Sequence, residues 1–251
     1  MKYLFGLWIL LQLTGCATFQ NKDKEKAVLY WEMANTQIEN GNLPLALKDL
    51  LTAEKLDPKN SAVQHSLGLV YFLRERYDLS IRHFERAVSI SPDFTEARNN
   101  YARALIEMRK YPEAEAQLKI VVNDLTYTSQ EKGFLNYGIL KFEQKQYREA
   151  AKHFESALRV TPDDCEANNF LGRSLFETKS YDRAAEALDR AVGFCQKQMV
   201  DEPHYYAALA YYRMGNREKA ITRFEELIKY YPNGEYREKA KGLIELIRKG
   251  H

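Results

Sequence analysis

Few side chains in this sequence could carry out chemistry, and their spacing limits what they could do. The chain contains three cysteines, Cys16, Cys165 and Cys195, and five histidines, His65, His83, His153, His204 and His251. None of the histidines has a partner at the spacing of a metal motif such as H-E-x-x-H or C-x-x-C. No G-x-S-x-G elbow, G-x-x-x-x-G-K-[ST] loop or G-x-G-x-x-G motif is present. We therefore expect no enzymatic activity, no metal and no cofactor.

Cys16 closes an N-terminal segment that has the pattern of a secretory signal. Met1 and Lys2 give a positive start, and an almost unbroken apolar run follows from Tyr3 to Leu13. That run is well short of the roughly 20 residues that a membrane-spanning helix needs. We therefore expect residues 1–15 to be removed as a signal peptide.

The motif LTGC at residues 13–16 resembles the lipobox of bacterial lipoproteins, at which diacylglycerol is attached to the cysteine thiol. The resemblance implies lipidation of Cys16, with several acyl chains giving a stable membrane anchor. Ala17 follows where aspartate would favour retention at the inner membrane, so the resemblance implies the periplasmic face of the outer membrane. The alternative is an ordinary signal peptide followed by an incidental cysteine.

Residues 16–26, which begin with Cys16, are too polar to fold alone and are predicted to form a tether. The whole chain has 37 basic and 35 acidic side chains, and one basic residue, Lys2, lies in the signal peptide. This balance gives no indication of nucleic-acid binding. The hydrophobic share of 45% is enough for a large buried core.

An internal period of 34 residues sets the fold class. The clearest pairs at this spacing are Ala46 and Ser80, Leu50 and Phe84, Ala53 and Ala87, and Pro58 and Pro92. This period is typical of the tetratricopeptide repeat (TPR), a hairpin of two helices. Repeats align at 27–60, 61–94, 95–128, 131–164, 165–198 and 201–234, with insertions at 129–130 and 199–200. The sequence predicts an all-α, right-handed TPR solenoid of six helical hairpins over 27–249, with a capping helix at 235–249.

Two positions of every repeat hold a small residue, as two closely crossing helices require. They are position 8, with Ala34, Gly68, Ala102, Gly138, Gly172 and Ala208, and position 20, with Ala46, Ser80, Ala114, Ala150, Ala184 and Ala220. Proline ends the second helix in four repeats. In the third and fifth repeats Thr126 and Gln196 replace it, which allows the helix to run on into the insertions.

Positions 5, 9 and 12 of each first helix form a second stripe, turned by roughly 100° from the packing stripe. The stripe is too apolar for a surface that meets only water, and it suits an extended segment of a partner protein. The predicted partner-binding groove consists of Trp31, His65, Leu69, Phe72, Asn99, Arg103, Leu135, Ile139, Phe142, Asn169, Arg173 and Tyr205. The alternative for each residue is packing against the neighbouring hairpin.

Two pairs in this stripe, Asn99 with Arg103 and Asn169 with Arg173, resemble the carboxylate clamp of chaperone-binding TPR proteins. The lysines of that clamp are missing, which argues against capture of a terminal carboxylate.

A separate pair, Cys165 and Cys195, opens and closes the fifth hairpin, where antiparallel helices bring their ends together. Either a disulfide or two buried free thiols fits this placement.

The runs EARNNYARALIEMRKYPEAEAQL and NDLTYTSQEKGFLNYGILKFEQKQYREAAKHFESALRV resemble the PilF/PilW/Tgl family of lipoproteins with six TPRs. The resemblance extends from LTGC through the cap. It implies a pilotin, which helps the type IV pilus secretin to reach the outer membrane and assemble into multimers, and so a role in motility. The partners implied are the secretin and, through Cys16, the membrane.

The last unit, ITRFEELIKYYPNGEYREKAKGLIELI, also resembles repeats of the BamD and CpoB proteins. This second resemblance implies a scaffold for outer-membrane barrel assembly or envelope coordination. A periplasmic enzyme is the third and most remote alternative.

Overall fold

The computed structural model of the chain describes residues 22–196 and 200–249. The signal segment, Cys16 and His251 lie outside these ranges, so the structure does not bear on the lipobox prediction. Within the two ranges the chain is α-helical and contains no β-strand. No helix in this part of the chain is both long and apolar enough to cross a membrane.

Thirteen α-helices follow one another in the described chain. The first, α1, covers residues 22–39. The others are α2 Leu43–Leu56, α3 Ser61–Leu73, α4 Tyr77–Ile90, α5 Thr95–Glu107, α6 Tyr111–Asn123, α7 Gln130–Glu143, α8 Tyr147–Val160, α9 Cys165–Glu177, α10 Tyr181–Phe194, α11 Glu202–Arg213, α12 Arg217–Tyr230 and α13 Arg237–Arg248. The first twelve form six successive hairpins, each closed by a hydrogen-bonded turn between its two helices, and α13 packs against α12. The predicted all-α fold of six TPR hairpins and a C-terminal helix is confirmed.

The chain divides into two compact units, one ending at Ile120 and the other beginning at Val121. In the first unit α2 packs against α3, α3 against α4, and α4 against α5. In the second unit the packing runs in chain order from α7 to α13. Each unit therefore builds its core from contacts between elements that are neighbours in sequence, as expected for repeats.

The start of α1 differs from the sequence-based expectation, because residues 22–26 are helical although their composition assigned them to the tether. These residues are mostly lysine and glutamate, which have good helix propensity. Adding turns to an existing helix is far easier than starting one. The buried Ala27 and Ala34 hold α1 against its hairpin partner, and the polar turn extends from that packed segment.

The predicted small positions lie where the two helices of a hairpin approach most closely. All six residues at position 20 are fully buried. A Cβ added to Gly68 would lie 2.6 Å from the Phe84 ring, and one added to Gly138 would lie 2.5 Å from the Phe154 ring. Since real Cβ atoms do not come this close to a ring, these positions require glycine.

One turn geometry joins the two helices in all six hairpins. Position 15 has a left-handed backbone, with φ between 56° and 80°, at Gly41, Glu75, Arg109, Lys145, Lys179 and Gly215. In the fourth hairpin the Lys145 amide donates to the Phe142 carbonyl at 2.8 Å, and the Gln146 amide donates to the Lys141 carbonyl at 2.8 Å. The same two bonds recur in the other five hairpins. This is a Schellman motif, which ends each first helix at the same position.

The second helices of the third and fifth hairpins stop before the insertions, so the expectation that they run on is wrong. Helix α6 ends at Asn123, and the next residue, Asp124, turns the chain. Its carboxylate accepts from the Thr126 amide at 2.9 Å and from the Thr126 hydroxyl at 2.6 Å. An aspartate that bonds to the backbone two residues later stabilises a turn at the expense of the helix. Helix α10 ends at Phe194, directly before Cys195.

Candidate functional site

The twelve residues of the predicted groove lie at equivalent positions on the first helices, and none of them is exposed. Asn99, Ile139 and Asn169 are only 1%, 4% and 6% exposed, so in the free chain they present almost no surface to a partner. These three residues lie deeper than their place on the stripe indicates. Helical periodicity identifies the residues that share a stripe, but the depth of each one depends on how closely its neighbours pack. The other nine are half-buried.

In the first unit, Trp31 joins the first two hairpins. Its indole N–H donates to the Ser66 hydroxyl at 2.9 Å, and that hydroxyl donates to the Asn35 side-chain oxygen at 3.0 Å. The Trp31 ring also packs against the core of the first hairpin. Trp31 is therefore mainly a packing residue.

His65 connects the second and third hairpins of the same unit. Its Nε2 lies 2.9 Å from the side-chain nitrogen of Asn100, and its ring lies 5.0 Å from that of Phe94. Leu69 and Phe72 follow on the same helix and are half-buried. In this unit Leu69 and Phe72 form the apolar part of the stripe that remains accessible.

Arg103 completes the first-unit stripe. Its Nε donates to Glu107 at 3.2 Å, one turn further along α5. The guanidinium is about one quarter exposed, and the carboxylate about one third exposed. The stripe of the first unit therefore combines accessible apolar groups with one charged pair.

In the second unit, aromatic rings surround Arg173. The guanidinium carbon lies 4.6 Å from the ring centre of Phe142, 5.1 Å from that of Phe170 and 5.2 Å from that of Tyr206. Cations are attracted to the faces of aromatic rings at these distances. We call Phe142, Phe170, Arg173, Glu202 and Tyr206 the Arg173 cluster.

The carboxylate of the cluster, Glu202, receives three hydrogen bonds. Donors are the Asn169 side-chain amide at 2.6 Å, Arg173 at 3.1 Å and the Tyr236 hydroxyl at 2.9 Å. Burial, followed by the negative charge of Glu202, raises the pKa of Tyr236. Asn169 and Arg173, one of the two pairs that resembled a carboxylate clamp, thus hold a carboxylate of their own chain.

Two polar atoms beside this carboxylate have no hydrogen-bond partner in the described residues. They are the Nε of Arg173 and the side-chain oxygen of Asn169, and both are buried. A buried polar atom left without a hydrogen bond costs roughly 1–3 kcal/mol. The hydrogen bonding around Arg173 is therefore incomplete.

Leu135 and Tyr205 belong to the second-unit stripe but not to the Arg173 cluster. Leu135 is half-buried on α7, and the ring of Tyr205 lies 4.5 Å from that of Tyr236. Sequence reasoning missed Phe170 and Tyr206, which occupy position 6 of the fifth and sixth repeats. An aromatic residue at the same position of two successive repeats was the available signal.

Cys165 and Cys195 are joined by a disulfide in the structure. Cys165 begins α9, and Cys195 directly follows α10. Both are buried against Ala191, with Val200 packed alongside. Of the two arrangements that the sequence left open, the structure contains the bridge between the ends of the fifth hairpin.

The described histidines have packing partners within their own units. His83 lies 2.9 Å from the Gln64 side-chain oxygen, and His153 stacks on Tyr137 with ring centres 4.2 Å apart. His204 is buried, with its Nδ1 3.6 Å from Glu226. Burial lowers the pKa of each of these three histidines. No group of three or more potential metal ligands occurs in the described part of the chain.

The chain is similar to a protein that it matches over most of that protein's length and to a short part of a much longer protein. The chain is 24% identical over 185 residues to the type IV pilus assembly protein PilF of Pseudomonas aeruginosa, covering 70% of this chain and 73% of PilF. It is 26% identical over 183 residues to Superkiller protein 3 of Schizosaccharomyces pombe, covering 68% of this chain but only 13% of that longer protein.

Solved structures of two pilus proteins have a similar fold. Pseudomonas aeruginosa PilF superposes with a TM-score of 0.76 at 19% identity, covering 88% of this chain and 99% of that one. PilW, described as a widely conserved type IV pilus biogenesis factor, gives a TM-score of 0.76 at 21% identity, covering 85% and 97%. The resemblance to PilF and PilW is confirmed, and at these identities the structures support the fold.

Family models described as tetratricopeptide repeat match most of the helical region. One matches residues 32–94 and 136–198, a second matches 71–125, and a third matches 204–234. These segments include parts of all six hairpins and agree with the 34-residue period and the buried small positions. The chain therefore belongs to the tetratricopeptide repeat family.

Proposed function

We propose that this chain is a lipid-anchored, non-enzymatic scaffold that binds a segment of a partner protein through the first helices of its hairpins. The observation that carries the proposal is the set of half-buried apolar and aromatic side chains at equivalent positions on successive first helices. Leu69 and Phe72 contribute them in the first unit, and Leu135, Phe142 and Tyr205 in the second. Such side chains pay little conformational entropy on binding, because their own chain already holds them in place.

The Arg173 cluster has the composition of a binding hot spot. Arginine and tyrosine are enriched at positions that dominate binding energy, where partly buried side chains become fully desolvated. The side chains of Arg173 and Glu202 are only 19% and 18% exposed in the free chain. A partner that covered them would therefore remove little further water from the two charges.

We propose the type IV pilus secretin as the partner, with this chain acting as its pilotin. Support comes from the similarity to a type IV pilus assembly protein over 70% of the chain and from the fold shared with a pilus biogenesis factor. Binding would bring the secretin to the outer membrane and promote its assembly into multimers.

The proposed anchor is Cys16, after removal of residues 1–15, with the protein held at the periplasmic face of the outer membrane. The LTGC motif supports this proposal. Replacement of Cys16 by serine should abolish fatty-acid labelling and release the protein from the membrane fraction. Unchanged labelling of the serine variant would rule out this anchor.

The function is tested by deleting the gene and following secretin multimers in the membrane fraction. We expect multimers to be lost in the deletion strain, restored by the wild-type chain, and not restored by Leu69→Glu. The matched control is Leu51→Glu, because Leu51 is exposed on the second helix of the first hairpin. Normal secretin multimers together with depleted outer-membrane barrel proteins would instead favour the BamD/CpoB-like function.

A further inference from the structure

Helix α1 has an exposed face on which basic and apolar residues form one stripe. Lys22, Lys26, Leu29 and Met33 are spaced four, three and four residues apart. At about 100° per residue this spacing places them within roughly 60° of one another on the helix. Leu29 and Met33 are 55% and 45% exposed, and both lysines are exposed. We call these four residues the α1 stripe.

Three of the four acidic residues of α1 lie on a different side of the helix. Glu25, Glu32 and Glu39 are spaced by seven residues and are exposed. They form a row turned by roughly 90° from the α1 stripe. The buried Ala27 and Ala34 face the hairpin core on the remaining side. Asp23 and Lys24 lie outside these two rows, and the apolar pair continues the side that carries Lys22 and Lys26.

The position of α1 in the chain restricts what can face this stripe. Only five residues separate Cys16 from Lys22. Even a fully extended chain of this length spans at most about 20 Å. If Cys16 carries the proposed lipid, the start of α1 is held within that distance of the bilayer surface. The lysines stand at the end of α1 nearest to the anchor.

We propose that the α1 stripe lies against an anionic phospholipid surface, with Lys22 and Lys26 at the headgroups and Leu29 and Met33 at the boundary with the acyl chains. An amphipathic helix with basic residues beside apolar ones binds membranes in this way. The helix then lies along the bilayer with its glutamate row turned away from the lipid charge. This inference rests on the proposed lipidation of Cys16, and it adds an orientation of the first hairpin that an acyl anchor alone does not impose.

The test places an environment-sensitive fluorophore on the full-length lipidated chain in vesicles of phosphatidylethanolamine and phosphatidylglycerol. The fluorophore is attached at Leu29→Cys or Met33→Cys, with Glu32→Cys as the matched control on the same helix, and the chain without an introduced cysteine is the blank. Emission should shift to shorter wavelength at positions 29 and 33, and not at position 32. Neutralising both lysines, Lys22→Gln with Lys26→Gln, should lower the equilibrium constant for the contact by about thirtyfold.

Fatty-acid labelling of the same samples separates the possible failures. If the protein carries the fatty acid but its emission at positions 29 and 33 equals that of the unanchored Cys16→Ser protein, the α1 contact is overturned. The lipid anchor then stands. Absence of label overturns the anchor and the contact together. A shift that depends on protein concentration without vesicles shows that a second copy covers the stripe, and this also overturns the lipid contact.

Discussion

The carboxylate of Glu202 lies 3.1 Å from the guanidinium of Arg173, which joins the first helices of the fifth and sixth hairpins. The same carboxylate accepts hydrogen bonds from Asn169 on α9 and from Tyr236, the residue directly before α13. One acidic side chain of α11 therefore connects α9 to the start of α13. The spacing of Asn169 and Arg173 resembled a carboxylate clamp, although the lysines of that clamp are missing. In the structure this pair links the fifth hairpin to the sixth.

Removing that carboxylate should destabilise the second unit. Glu202→Ala leaves the mostly buried Arg173 without its anion, at an expected cost of about 1–3 kcal/mol, less than for a fully buried pair because Glu202 is 18% exposed. Urea denaturation measures this loss. The matched control is Glu225→Ala, because the Glu225–Arg248 pair is more than half exposed and should contribute at most about 1 kcal/mol. Equal losses from the two variants would contradict this view of Glu202.

Gly138→Ala should destabilise the fourth hairpin, because the new methyl group would lie 2.5 Å from the Phe154 ring. Overpacking of this kind costs about 1–3 kcal/mol. Gly242→Ala in α13 is the control, since a Cβ there would meet nothing within 4 Å. In that open helical position alanine should stabilise the protein by about 0.5–1 kcal/mol. Urea midpoints that move in the same direction for both variants would refute the close contact.

The sequence was sufficient to predict the hairpins, because their positions depend on strong local rules. A small residue is required where two helices cross, and Gly138 and Ala150 both satisfy this rule in the fourth repeat. The left-handed turn at position 15 was not predicted, because Glu75 and Lys145 are not residues that favour positive φ. There the Schellman hydrogen bonds outweigh the preference of the residue.

The candidate site was less predictable than the fold. Periodicity placed Asn169 and Arg173 on one stripe, but it could not show that Glu202, one repeat later, would occupy the space in front of them. The burial of Ile139 was missed for the same reason, since it depends on packing between hairpins. Contacts between repeats join side chains that are far apart in sequence. They depend on how the hairpins pack, which a local sequence pattern does not predict.

The Cys165–Cys195 bridge should stabilise the fifth hairpin. The two cysteines are 30 residues apart, and closing a loop of this length contributes roughly 3–4 kcal/mol by the chain-entropy estimate. Reduction, or the Cys195→Ser variant, should lower the urea midpoint accordingly. Mass spectrometry of the unreduced, alkylated protein gives an independent check. Alkylation of both thiols would show that the bridge does not form.

Stability should fall on mild acidification, because burial lowers the pKa of His83, His153 and His204. Below the ordinary histidine pKa of about 6.5 the unfolded chain binds protons that the folded chain does not. The loss therefore begins near that pH and continues until the pH reaches the lowered folded values. Urea midpoints at pH 7.5 and 5.5 measure it. His204→Gln should reduce the difference between them, and an unchanged or increased difference would contradict the assignment to His204.

Direct binding of the purified secretin to the full-length chain tests the central claim that the first-helix faces hold the partner. Leu69→Glu in the first unit and Leu135→Glu in the second should each weaken binding by roughly tenfold to a hundredfold, as expected for residues at an interface hot spot. Leu51→Glu should bind like the wild type, and circular dichroism should show the same helix content in all four proteins. If Leu69→Glu and Leu135→Glu are folded and bind the secretin as tightly as the wild type, the first-helix faces are not the binding site.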